Sequence, residues 1–243
     1  MQFLNGTLMT ILMAIVGTVA GSVIGLLIGI VRTIPKDSSG RGGFSVRATL
    51  LSIANAVCAV YVEVFRGTPM MVQAILIYYG LSEAFNINLA ALPAGLLIIT
   101  LNTGAYMAEI VRGGIHAVDK GQTEASKAIG MNHLQTMLHV VLPQTIRNIL
   151  PAIGNEFVVN LKDSSVLNII TLGELFYATL LIRGTYFRTY PPFIIAAAIY
   201  LILTFVSSRL LRLLEKRMDG PQVFSLTSST AVMGLKRRGN SGR

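Results

Sequence analysis

The chain opens on a long apolar run. No charged residue occurs from Met1 to Val31, and residues 8–31 are apolar enough and long enough to cross a bilayer as a helix. Three further runs share that character, at 68–85, 89–111 and 192–214. A fifth begins near Asn148 and passes Leu161, interrupted by Lys162-Asp163-Ser164-Ser165. The opening run does not read as a signal peptide. No Lys or Arg precedes Arg32, and the apolar stretch exceeds a signal core, so a retained transmembrane helix is expected.

Residues 50–65 are ambiguous, being apolar yet carrying Asn55 and Glu63. At helical spacing Leu50, Ile53, Val57, Tyr61 and Val64 share one face, while Ser52, Asn55, Glu63 and Arg66 share the other. That pattern predicts an amphipathic helix at the inner surface or against the bundle, with a spanning helix bearing one polar seam as the alternative. Charge separates the two. With 50–65 not spanning, there are five spans, the N-terminus lies outside, and 17 of the 20 Lys and Arg fall on the cytoplasmic side. Arg183 and Arg188 then lie outside and Lys162 within the membrane. The expected fold class is therefore all-α membrane protein with five transmembrane helices, the C-terminus cytoplasmic.

Composition agrees. The 243 residues are 53% hydrophobic and 13% charged, against about 25% charged in soluble domains, and the mean hydropathy is +0.64. The net charge of +9 reports topology here and is no sign of nucleic-acid binding. The single cysteine, Cys58, excludes an intrachain disulfide and reads as a small buried apolar side chain. His116, His133 and His139 lack metal-ligand spacing, so no metal is expected. The organisation predicted is a membrane domain over 1–219, with a polar cytoplasmic insert at about 112–147, and a disordered cytoplasmic tail over 220–243. The tail's Lys236-Arg237-Arg238 is suited to anionic lipid. The Ser/Gly-rich loop at 35–43 is predicted to be flexible.

Within the insert lies Gly121-Gln-Thr-Glu124-Ala125-Ser126-Lys-Ala-Ile-Gly130, ending in Val140-Val-Leu142-Pro143. Residues 122–129 are good helix formers that Gly130 can stop, and 131–141 predict a second short helix ended by Pro143. Two short helices joined at a glycine make a compact knob for docking on another protein. The insert resembles the signature loop of ABC-importer permeases: Glu-Ala-Ala, three residues, Gly, nine residues, Ile-x-Leu-Pro. Ser126 stands for the third Ala and Val140 for the Ile. Glu63-Val-Phe-Arg66-Gly67-Thr68-Pro69, 101–114 and 155–165 further resemble the polar-amino-acid branch of that family.

The resemblance implies a multi-pass plasma-membrane subunit that translocates a polar amino acid and is not itself an enzyme. It implies coupling through Glu124, Ala125, Ser126, Gly130, Leu142 and Pro143 to an ATPase dimer that carries the ATP and Mg, with no cofactor on this chain. A second permease copy or a sister permease, an extracytoplasmic amino-acid-binding protein and membrane lipid complete the implied partners. Consistently, no Gly-x-x-x-x-Gly-Lys-Ser/Thr phosphate loop occurs.

Two polar seams stand out inside the spans. Asn102, Tyr106, Glu109 and Gly113 fall on one helical face, and Glu156, Asn160 and Asp163 on another. Intramembrane polar residues face a cavity or a partner. A shared path would offer Glu156 and Asp163 to an ammonium group, and Asn102, Tyr106, Asn160 or Thr68 to a carboxylate. The seams could instead hydrogen-bond to each other and hold the bundle together. Glu109 and Arg112, near the inner end, read as structural or gating charges. The rival functions are a proton-coupled secondary transporter using Glu156 or Asp163, and a channel or purely structural subunit.

Overall fold

The computed structural model describes residues 1–34 and 46–218, and among these every regular element is helical. The loop at 35–43 and the tail at 220–243 lie outside the described residues. Helix α1 spans Gln2–Thr33, α2 Val46–Gly67, α3 Met70–Phe85, α4 Ala91–His116 and α5 Lys120–Ala128. Helix α6 (His133–Thr136) continues through a π turn at Met137–Val141 into α7 (Leu142–Asp163). A 3-10 segment, Ser164–Ile170, then leads to α8 (Leu175–Tyr186) and α9 (Tyr190–Met218).

The central contact is α1 against α4. Gly17, Gly21, Gly25 and Gly29 repeat every four residues along α1, all buried, and they face Ile99, Thr103, Met107 and Val111, which repeat every four along α4. Equal spacing on both helices lets one ridge lie in the other's groove. The approach is close enough to exclude side chains. A Cβ added at Gly21 would stand 2.7 Å from the Thr103 Cβ, and one at Gly25 2.7 Å from the Met107 carbonyl carbon. Toward the other end Met13, Ala74, Ala94, Ile98, Leu167 and Leu172 form an apolar cluster joining α1, α3, α4 and the 3-10 segment.

Four helices meet the length and apolarity of a span: Gln2–Thr33, Ala48–Gly67, Ala91–His116 and Tyr190–Arg217. The bent pair His133–Ile170 and Leu175–Tyr186, whose parts meet at 53°, has the apolar length of a fifth. The bend is built by Thr171 in the left-handed region (φ 60°) and by Glu174. That buried carboxylate caps α8 by accepting from the Phe176 and Tyr177 amides at 2.8 and 2.7 Å.

Two sequence expectations change. The helix containing 50–65 is long and apolar enough to span, whereas α3, expected to span as 68–85, has 16 residues, about 24 Å against a hydrocarbon core of ~30 Å. In α2 the apolar face, with Leu50, Ile53 and Val57, is exposed, while Asn55 and Val62 are turned inward. Ser52, Glu63 and Arg66 of the polar face are exposed as well, and Tyr61 of the apolar face turns inward, so the two faces do not separate into an inner and an outer side. Among the described residues the candidate spans thus include α2 and leave out α3. The second change is at Pro143. It was expected to end a helix, yet the helix continues through it from α6 into α7. The π turn before it absorbs the ring, and the Gln144 side-chain Nε2 donates to the Val140 carbonyl at 2.9 Å.

Gly25→Val should therefore lower the thermal midpoint of the detergent-purified protein, at a cost of about 1–3 kcal/mol for overpacking a filled contact. Gly80→Ala, with no atom within 4 Å of the added Cβ, should leave it nearly unchanged. Heating followed by size-exclusion analysis reads both, and equal midpoints would contradict the packing role.

Candidate functional site

The polar side chains of the membrane region divide into those already satisfied within the chain and those that are not. Asn102 is buried and donates to Gln73 Oε1 at 3.0 Å. Gln73 in turn donates to the Phe65 and Thr68 carbonyls and to Thr68 Oγ1, each at 2.9 Å. This chain of bonds closes the Gly67-Thr68-Pro69 corner between α2 and α3 and ties it to α4. Asn160 serves a second junction. Its Oδ1 accepts from Thr103 Oγ1 and its Nδ2 donates to Thr18 Oγ1, both at 3.0 Å, so α7, α4 and α1 meet at one buried amide. Asn102 and Asn160 thus bond to different neighbours, and Thr68 is engaged as well.

What remains free is Tyr106, Glu156 and Asp163. Tyr106 is 39% exposed, and the Arg66 guanidinium carbon stands 5.6 Å over its ring centroid. Glu156 is 9% exposed and Asp163 half-buried, and neither has a hydrogen-bond or ion-pair partner among the described residues. Asn160 and Thr103 are in contact, so Glu156 lies one turn from that junction on α7 and Asp163 about one turn beyond it. The free carboxylates therefore flank the satisfied amide.

At the inner end of α4, Glu109 is paired twice. Arg32 Nη1, from the last turn of α1, donates to Glu109 Oε1, while Arg112 donates to Oε2 through Nε and Nη2 at 3.0 and 2.7 Å. The carboxylate thereby pins the end of α1 to α4. Gln73, Thr18, Thr103 and Arg32 were not singled out from sequence. Gln73 and Thr18, isolated polar residues in apolar runs, carried the only available signal.

The insert folds as a knob. Asp119 caps α5 by accepting from the Gly121 amide at 2.6 Å. Gly130 ends it in the left-handed region, φ 84°, where a side chain would be strained, and the Met131 amide returns to the Ser126 carbonyl at 3.0 Å. Asn132 and Gln135 form a reciprocal capping box that starts α6. Beneath, Val118, Met137 and Val141 pack with Ile115 at the end of α4. Ser126 is buried, its hydroxyl donating to the Gln122 carbonyl, while Glu124, Ala125 and Pro143 are exposed and Leu142 is half-buried. Two large apolar side chains crown the knob, Ile129 at 79% and Leu134 at 64% exposure. Such exposure in a polar loop fits a covered surface. Among the described residues no group of His, Cys, Asp or Glu is placed to hold a metal.

An all-helical bundle with several membrane crossings, buried polar junctions and a polar knob at one end is the architecture of a multi-pass membrane component. Residues 43–220 match the family of binding-protein-dependent transport system inner membrane components, and the chain belongs to that family. It is 40% identical over 167 residues to the glutamine transport system permease protein GlnP of Escherichia coli K12, covering 68% of this chain and 76% of that one. Octopine transport system permease protein OccM of Rhizobium radiobacter is also 40% identical, over 64% of this chain and 66% of its own. Arginine transport system permease protein ArtQ of Bacillus subtilis is 34% identical, over 65% and 72%. The crystal structure of an amino acid ABC transporter with histidines superposes at a TM-score of 0.77 with 39% identity, covering 89% of this chain and 94% of that chain. The MetNI methionine transporter, at 18% identity and a TM-score of 0.72, shares the fold. The chain is thus an inner-membrane permease component with the ABC-importer permease fold.

Asn160→Ala should lower the thermal midpoint, because two interhelical bonds worth about 0.6–1.7 kcal/mol each are lost. Glu156→Gln should not, since that carboxylate holds no partner. Side-by-side melting of the two variants checks the division, and an equal loss in both would undo it.

Proposed function

We propose that this chain carries a polar amino acid across the inner membrane as the permease of an ATP-driven importer, its knob seated on a separate ATPase subunit. The observation that carries the reading is the knob itself. Residues matching the permease signature fold into an exposed, doubly capped helix pair with Ile129 and Leu134 outward. Relatives named for glutamine, arginine and octopine transport support amino acids as the cargo. In this reading ATP and Mg bind the partner ATPase, this chain performs no chemistry, and an extracytoplasmic binding protein delivers the substrate. The permease acts paired with a second copy or a sister chain. Glu156 and Asp163 are the groups left free to meet an ammonium, and Tyr106 is free to meet the rest of the substrate.

Proteoliposomes holding the permease, its ATPase and the binding protein should take up radiolabelled amino acid only with ATP inside. Uptake driven by a proton gradient without the ATPase would replace this reading with a secondary transporter. Gly130→Arg should reduce co-purification of the ATPase while leaving the permease folded, because the left-handed corner at that position costs a non-glycine residue about 1–3 kcal/mol. Full association would remove the knob as the docking element.

The orientation proposed places the knob in the cytoplasm and the α8–α9 corner outside. In a Cys58→Ser background, Gln122→Cys should react with an impermeant thiol reagent only from the cytoplasmic side. Thr185→Cys should react only from the other. Both positions are exposed, and same-side labelling would contradict the five-crossing arrangement.

A further inference from the structure

Arg66 ends α2 with an exposed side chain stacked on Tyr106. Its depth follows from its neighbours. Tyr61, five residues earlier, donates to the Leu101 carbonyl at 2.6 Å, and Gln73, seven residues later, accepts from Asn102. Leu101, Asn102 and Tyr106 occupy the middle of α4, so Arg66 stands about 15–22 Å from either end of that helix. A guanidinium at this depth is costly unless something compensates it. Nothing in the chain does: among the described residues Arg66 has no ion pair, and Glu63, one turn earlier and exposed, makes none with it. The tyrosine ring supports the cation from one face and leaves the N–H fork open.

The opposite charge is free at a comparable depth. Asn160 bonds Thr103, and α7 runs antiparallel to α4, which brings Glu156, one turn before Asn160, near the level of Tyr106. Arg66 and Glu156, each without an ion pair among the described residues and near one level, suit the two ends of a zwitterion, while Lys162 and Asp163 lie side by side two turns further along α7.

We propose that Arg66, steadied on the Tyr106 ring, receives the α-carboxylate of the transported amino acid through a bidentate pair of N–H donors. The inference rests on the reading of this chain as an amino-acid permease and adds the carboxylate end of its path. Thr68 is not that donor, its hydroxyl being bound to the Val64 carbonyl at 2.7 Å.

The test is equilibrium binding to the purified permease–ATPase complex in detergent, without the binding protein. The probes are L-glutamine, L-arginine and L-histidine, each against its α-carboxamide. The unsubstituted complex should prefer the free acid. R66Q should weaken free-acid binding by roughly 10- to 100-fold, the worth of a charge-assisted hydrogen bond, and leave carboxamide binding unchanged. R66K keeps the charge but not the planar fork and should fall between. If R66Q fails to assemble, R66K decides: selective weakening of the acid supports the assignment, and undiminished acid affinity overturns it. Equal loss of acid and carboxamide in R66Q would make Arg66 a structural or subunit-pairing residue. Undiminished binding in R66Q overturns the role of Arg66 alone, whereas no binding of any probe by the unsubstituted complex overturns the intramembrane amino-acid site itself.

Discussion

The close approach of α1 to α4 is the constraint on which the remaining structure depends. Four glycines at four-residue spacing bring the two backbones together, and the polar side chains of α4 are distributed around that contact. Thr103 belongs both to the contact and to the Asn160 junction, so the same face that receives Gly21 also fixes α7. Asn160 reaches Thr18, one residue beyond Gly17, only because the glycines admit it. In a membrane, where lipid is as apolar as leucine, close packing and interhelical hydrogen bonds replace the hydrophobic drive that would hold a soluble bundle.

With the bundle held this way, its polar groups take two roles. The amides of Asn102, Gln73 and Asn160 are consumed in joining helices, as is the Glu174 carboxylate in capping α8. Glu109 is held between Arg32 and Arg112 at the inner end of α4, next to the segment that leads into the knob. Arg66 and Glu156 stand apart as groups with no hydrogen-bond or ion-pair partner among the described residues, and Asp163 lies beside Lys162.

Much of this was legible in the order of residues. The runs at 8–31 and 192–214 fall within α1 and α9 and that at 89–111 overlaps α4 from Ala91, because long apolar stretches have no alternative to helix in a bilayer. The helix pair of the knob, and its hinge at Gly130, followed from helix propensity and the need for a left-handed residue at a tight stop. Other features were misread. The two faces assigned to α2 do not map onto an inner and an outer side: Leu50, Ile53, Val57, Ser52, Glu63 and Arg66 are all exposed, while Tyr61 turns inward to the Leu101 carbonyl. The Pro143 expectation failed because the π turn at Met137–Val141 widens the helix just before the ring and lets it continue from α6 into α7.

Sequence by itself determined the class of the molecule, an all-helical multi-pass membrane component, since this depends on composition and local spacing. It also named most of the intramembrane polar residues, which a bilayer makes conspicuous. Only the tertiary structure decided which of them are spent on joining helices and which are left free. Asn102 and Tyr106 lie on one face of α4, and Glu156 and Asn160 on one face of α7, so spacing could not distinguish within either pair. The distinction comes from partners distant in sequence, such as Gln73 for Asn102 and Thr18 for Asn160, and from the corner at Thr68 that lays Arg66 over Tyr106. Whether a polar group is satisfied is a property of its surroundings, and those surroundings exist only once the helices have packed.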